Sequence, residues 1–181
     1  AGTAAMEAAV FNVLEPGEQA VVCVHGYFGD RLRQIMERAG GEVTVVESSW
    51  GSPTSPADLE AALKKVDAPK VVGVVHGETS TGVRQDIPEL AELAHRHGAL
   101  LITDTVASLG GVEFATDAWG ADVVYTGSQK CISVPPGISP ITFGERAMDK
   151  IRARQQPCRS WYLDAQLNLS YWGSPPKYHH T

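Results

Sequence analysis

Short β-branched runs recur along this chain, and stretches of helical spacing lie between them. That alternation constrains the fold more than any other feature. Residues 20–25 (AVVCVH), 42–47 (EVTVVE), 70–75 (KVVGVV), 99–104 (ALLITD), 122–126 (DVVYT) and 138–143 (ISPITF) read as strands. Residues 3–14, 29–39, 57–66, 88–97 and 144–155 carry apolar side chains at helical intervals. Glu15-Pro16-Gly17, Gly40-Gly41 and Gly98 supply stops, and Ser55-Pro56 opens the third helix. Residues 48–56 and 76–86 are polar and read as loops, and residues 160–172 form an aromatic-rich tract. Runs that are apolar on both faces belong to strands buried on both sides. The pattern therefore predicts an α/β fold: a mostly parallel mixed sheet flanked by helices, spanning 1–181 as one domain.

Composition narrows the functional classes. Hydrophobic residues make up 43% and charged residues 20%, as in ordinary globular proteins. A net charge of −6 leaves no basic face for phosphate backbones, so no nucleic-acid partner is expected. No apolar run is long enough to span a bilayer, so no membrane partner is expected either. Ala1 to Met6 lacks the basic start of a secretory signal. The three cysteines, Cys23, Cys131 and Cys158, are odd in number and widely spaced, which disfavours disulfides and a zinc site. A reducing, cytoplasmic compartment fits, with peroxisome and mitochondrion left open. Each cysteine reads as a small core or surface residue, and Cys131 is expected to be buried beside Lys130. Both ends read as cut, so the chain is expected to be an internal piece of a longer one.

In parallel sheets, ligands bind beyond the carboxyl ends of the strands. That places the loops after His76, Asp104 and Thr126 on one edge. Lys130 follows a strand end, where a lysine can lose its proton and form an imine with a carbonyl cofactor; the alternative is a surface lysine in a turn. Asp104 closes a buried strand and faces the ligand edge; it suits a pyridine nitrogen, or equally a helix N-cap, a ribose or a metal. Gly2-Thr3 opens a helix and offers N–H groups to a phosphate, or is a plain cap. The polar loop His76-Gly77-Glu78-Thr79-Ser80-Thr81-Gly82 reads as a turn or a cofactor contact, and His76 as a structural histidine.

Taken together, these segments closely resemble the class V aminotransferases, and within them the alanine–glyoxylate / serine–pyruvate aminotransferase group. The resemblance covers the whole chain. It rests on Asn12-Val13-Leu14-Glu15-Pro16-Gly17, the loop 76–82, Asp104-Thr105-Val106-Ala107-Ser108-Leu109-Gly110-Gly111, Gly127-Ser128-Gln129-Lys130, Pro135-Pro136-Gly137 and Tyr178-His179-His180-Thr181. It implies a fold type I large domain that binds pyridoxal 5′-phosphate (PLP), without the small C-terminal domain. Lys130 would form the Schiff base, and Asp104 would pair with the pyridine N–H. Val106 and Phe28 would pack on the ring, and Thr79 would contact its hydroxyl region. Gly2, Thr3 and Gln129 would hold the phosphate. Tyr178 and Thr181 would reach the phosphate of the neighbouring subunit in a homodimer. The substrates implied are small amino acids, alanine or serine, and small 2-oxo acids such as glyoxylate.

The chain departs from the family pattern at two positions. Ala1 stands where relatives often have Ser, and Phe28 where they often have Trp. The arginine that binds the substrate carboxylate has no counterpart in this chain. A cysteine desulfurase or lyase on the same fold is the competing chemistry, although neither Cys131 nor Cys158 suits a mobile nucleophile. A nucleotide-binding α/β module is the non-enzymatic alternative, and the absence of GxGxxG and of a P-loop opposes it.

Overall fold

The computed structural model describes residues 1–172; Tyr178 and Thr181 lie outside them. In chain order the elements are α1 (Gly2–Val13), β1 (Gln19–Val24), α2 (Tyr27–Arg38), β2 (Glu42–Glu47), α3 (Pro56–Leu63) and β3 (Pro69–Val75). A small hairpin follows, β4 (Gly77–Glu78) and β5 (Val83–Arg84), and then α4 (Pro88–Arg96), β6 (Leu100–Asp104) and β7 (Val123–Tyr125). The described part ends with β8 (Ile141–Phe143), α5 (Glu145–Arg152) and α6 (Ala165–Trp172).

The main sheet has six strands in the order β2-β1-β3-β6-β7-β8. Its first five strands are parallel, and β8 runs antiparallel to β7 at one edge. The order reverses between β1 and β3, so a crevice opens beyond their carboxyl ends. The inner strands β1, β3, β6 and β7 are mostly apolar and buried because both their faces are covered, whereas the edge strands β2 and β8 are largely half-buried or exposed. Val22, Val71, Ile102 and Tyr125 join the core under α1, α2 and α5. Val21, Val72, Val74 and Leu101 join a second core under α3 and α4. Truncating one of these fully buried residues, such as Leu101, to alanine would cost about 2–5 kcal/mol. Gly29 is required where α2 approaches the end of β1: a Cβ there would lie 2.9 Å from the Cys23 carbonyl oxygen, which cannot move aside.

Three segments differ from the sequence-based expectation. The loop 76–86 contains the β4–β5 hairpin, turned at Gly82 with φ 70° and tied by Gln85 N–H donating to the His76 carbonyl. The last strand is confined to Ile141–Phe143. The aromatic tract ends in a helix, α6, which its own spacing did not announce. Its start is held from afar: the buried Asn12 side chain accepts from Ala165 N–H at 2.9 Å and donates to the Leu163 carbonyl at 2.8 Å. No helix among the described residues is long and apolar enough to cross a membrane.

Candidate active site

Eight of the ten residues singled out as a cofactor site line one cavity of about 260 Å³: Gly2, Thr3, Phe28, Thr79, Asp104, Val106, Gln129 and Lys130. The topology brings them there. Phe28 follows β1, Thr79 follows β3, Asp104 closes β6 with Val106 just beyond it, and Gln129 and Lys130 follow β7. Gly2 and Thr3 open α1, which has no side-chain cap, so its first N–H groups have no side-chain partner. A larger hollow, about 940 Å³, runs along α1, β8 and α6, but neither Asp104 nor Lys130 lines it. The convergent polar groups, not the size, mark the smaller one as the candidate site.

Asp104 is the electrostatic centre of the cavity and is only 3% exposed. One carboxylate oxygen accepts Val106 N–H at 2.7 Å, and the other accepts the Tyr125 hydroxyl at 3.0 Å. Burial pushes its pKa up to about 6, although both hydrogen bonds and the charge of Arg31 pull it down. No helix starts at Asp104, so it is not an N-cap. The Tyr125 hydroxyl is itself held far above the usual phenol range by burial and by the neighbouring carboxylate.

The strand β7 ends at Tyr125, and Lys130 stands in an exposed turn beyond it. Its Cys131 neighbour is also exposed, not buried, and its Sγ donates to the Ala107 carbonyl at 3.1 Å. That contact, with the loop after β6, holds the Cys131 side chain at the surface and out of the core. Cys23, by contrast, is buried in β1, and burial raises its thiol to about 12.

The loop 76–82 does two jobs. Glu78, 1% exposed, accepts from Phe28 N–H at 3.0 Å and Gly29 N–H at 3.1 Å, capping α2, whose own N-cap Gly26 has no side chain. Ser80 extends this by accepting Tyr27 N–H at 2.9 Å. Thr79 between them faces the cavity. His76 is structural: it pairs with Ser108 at 2.8 Å, packs on Phe114 and Trp119, and burial lowers its pKa.

Sequence reasoning passed over Glu78 as a cap, Tyr125 as the partner of Asp104, and Arg31, which lines the cavity. The alternation of β6 and β7 held the signal for Tyr125, since a parallel pair places Asp104 beside it. Arg31 falls one helical turn after Phe28, a spacing that brings both to one face.

The cavity's chemistry fits a planar, phosphorylated heterocycle. Phe28, Val106, Met6 and Val75 supply apolar wall, and the buried carboxylate suits a protonated ring nitrogen. Thr3, Arg31, Gln129 and Lys130 supply donors for an anionic group. The start of α1 seats closely on this wall: a Cβ on Gly2 would come within 3.1 Å of Val106 Cγ2.

Residues 1–160 match the family model described as aminotransferase class-V. The chain belongs to the class-V aminotransferases. The cofactor of that family is PLP. All of this chain is 42% identical to 47% of the alanine–glyoxylate aminotransferase of Drosophila melanogaster. It is 37% identical to the (S)-ureidoglycine–glyoxylate transaminase of Bacillus subtilis, over 98% of this chain and 47% of that one. The crystal structure of an alanine–glyoxylate aminotransferase from Nostoc sp. superposes with a TM-score of 0.95 at 45% identity, covering 99% of this chain and 48% of that one. The chain thus spans about half the length of the relatives it matches.

Proposed function

We propose that this protein is a PLP-dependent aminotransferase that takes an amino group from alanine or serine and gives it to glyoxylate or another small 2-oxo acid. The observation that carries this reading is that a buried carboxylate, Asp104, and an amine, Lys130, line one cavity with the open start of α1. When bound, PLP supplies an aldehyde that takes up amines and a ring that accepts electrons.

The chain's own residues do the rest. Asp104 holds a proton on the ring nitrogen; its carboxylate is fixed by Val106 N–H and Tyr125 and cannot turn away. Lys130 anchors the cofactor, and its Nζ then moves the proton to and from the substrate Cα. Phe28 and Val106 flank the ring, and Thr79 meets its hydroxyl side. Gly2, Thr3 and Gln129 bind the phosphate, where the N–H groups of α1 favour negative charge. Tyr178 and Thr181, outside the described residues, reach the phosphate of a second subunit in a homodimer.

The alanine–glyoxylate and ureidoglycine–glyoxylate enzymes among the relatives support glyoxylate as acceptor; the two kinds differ in donor, alanine in one and ureidoglycine in the other. The test is to load the protein with PLP, reduce it with borohydride and map the label. It should lie on Lys130, and label on Lys64 or Lys150 would refute the assignment. Unreduced protein given alanine alone should release one pyruvate per site. Conversion with ureidoglycine, and none with alanine or serine, would reassign the donor.

A further inference from the structure

Arg31 lies in the second turn of α2, and its contacts go beyond offering a donor to the cavity. Its guanidinium carbon sits 4.9 Å from the Phe28 ring centroid and 5.2 Å from that of Tyr27. Tyr27 and Phe28 are themselves packed edge to face, with centroids 5.6 Å apart. The helix dictates this stack, because Arg31 follows Tyr27 by four residues and Phe28 by three. The same guanidinium crosses to another element: Nη1 donates to Thr3 Oγ1 at 2.9 Å, at the open start of α1. Among the described residues Arg31 forms no ion pair with a carboxylate. Its charge is turned toward the cavity that it lines. Consistent with this, it acts on Asp104 through space, favouring the ionised carboxylate.

We propose that Arg31 is a positioning residue for the cofactor, fixing the Phe28 ring and the Thr3 hydroxyl as one unit before the cofactor arrives. The proposal rests on the PLP reading above. The physical reason is preorganisation. Phe28 stands on α2 and Thr3 on α1, and the Arg31 guanidinium touches both. A ring wall and an anion-binding helix start that move independently must be ordered on binding, and that ordering weakens affinity. Arginine is required rather than a cation as such. Its planar fork stacks on an aromatic face and donates in its own plane at once, whereas a lysine ammonium does one or the other.

The experiment compares wild type, Arg31→Lys and Arg31→Met in the full chain. It titrates PLP by absorbance and reads the visible circular dichroism of the bound cofactor, which reports how firmly the ring is held. Melting of the cofactor-free proteins establishes that each variant folds. Arg31→Lys and Arg31→Met should both weaken PLP binding by about tenfold and lower the dichroism per bound cofactor. Thr3→Val, which removes the acceptor and leaves Arg31, should lose part of the same signal. Wild-type affinity and dichroism in Arg31→Lys, with loss only in Arg31→Met, would overturn the proposal and leave Arg31 a simple charge. Unchanged binding in both would overturn it outright. A wild-type protein that binds no PLP would instead remove the reading on which the proposal stands, and the proposal with it.

Discussion

The Tyr125 hydroxyl donates to the Asp104 carboxylate at 3.0 Å, across two residues that are paired in register on β6 and β7. Tyr125 is 1% exposed, so water cannot replace that donor. Tyr125→Phe keeps the packing and removes only the hydrogen bond. The variant should lose about 1–3 kcal/mol of stability where the carboxylate is ionised. The hydroxyl favours the ionised form, so the loss should be larger at pH 8 than at pH 5, and paired melting curves at the two values check it. Equal losses at both would show that Tyr125 does not act through the carboxylate.

Asp104 should destabilise the cofactor-free fold in exchange for function. Its pKa is about 6 when folded, against 3.8 for the unperturbed group, so the folded state holds the proton more tightly. Stability therefore falls as pH rises from about 4 to about 6 and is level above that. Asn is neutral at every pH, and its side chain can still accept Val106 N–H and donate to Tyr125. Cofactor-free Asp104→Asn should thus gain up to about 3 kcal/mol over wild type at pH 7, with the gain vanishing near pH 4. Turnover should fall by several powers of ten, because an amide cannot hold the ring nitrogen protonated. Stability and rate are read separately, so a variant that melts like wild type yet is inactive would refute only the first statement.

Glu78 should control the seating of Phe28. It caps α2 from a different element, so its loss frees two N–H groups at the start of that helix. Glu78→Ala should cost about 1–3 kcal/mol, with Glu78→Gln between it and wild type. Hydrogen exchange locates the effect: the amides of Phe28 and Gly29 should exchange faster while those of β6 stay protected. Unchanged exchange at both amides would show that the cap is redundant.

The proposed homodimer makes a separate prediction. A Lys130→Ala chain and a chain carrying Tyr178→Phe with Thr181→Val should each be nearly inactive. Mixed with subunit exchange, they should recover about a quarter of wild-type activity, because half of the dimers then hold one intact site. No recovery despite proven exchange would place each site within one subunit.

Much of this arrangement was legible in the sequence because it depends on local pattern. Strand and helix alternation is a matter of period, and EVTVVE at 42–47 coincides with β2 residue for residue. A strand ending in an acid and a lysine after the next strand must share an edge once the sheet is parallel, so Asp104 and Lys130 were findable together. What only the tertiary structure decided are relationships between distant residues. Asn12 starts α6, Glu78 caps α2, Tyr125 holds Asp104, and Arg31 joins Phe28 to Thr3. The exposure of Cys131 belongs with them, since its Sγ meets the Ala107 carbonyl on the loop after β6, a contact that the residue itself does not announce. The physical reason is common to all five. Periodicity reports which face of an element is buried, whereas a hydrogen bond or ring contact between elements requires their positions, which only the packed sheet and helices supply.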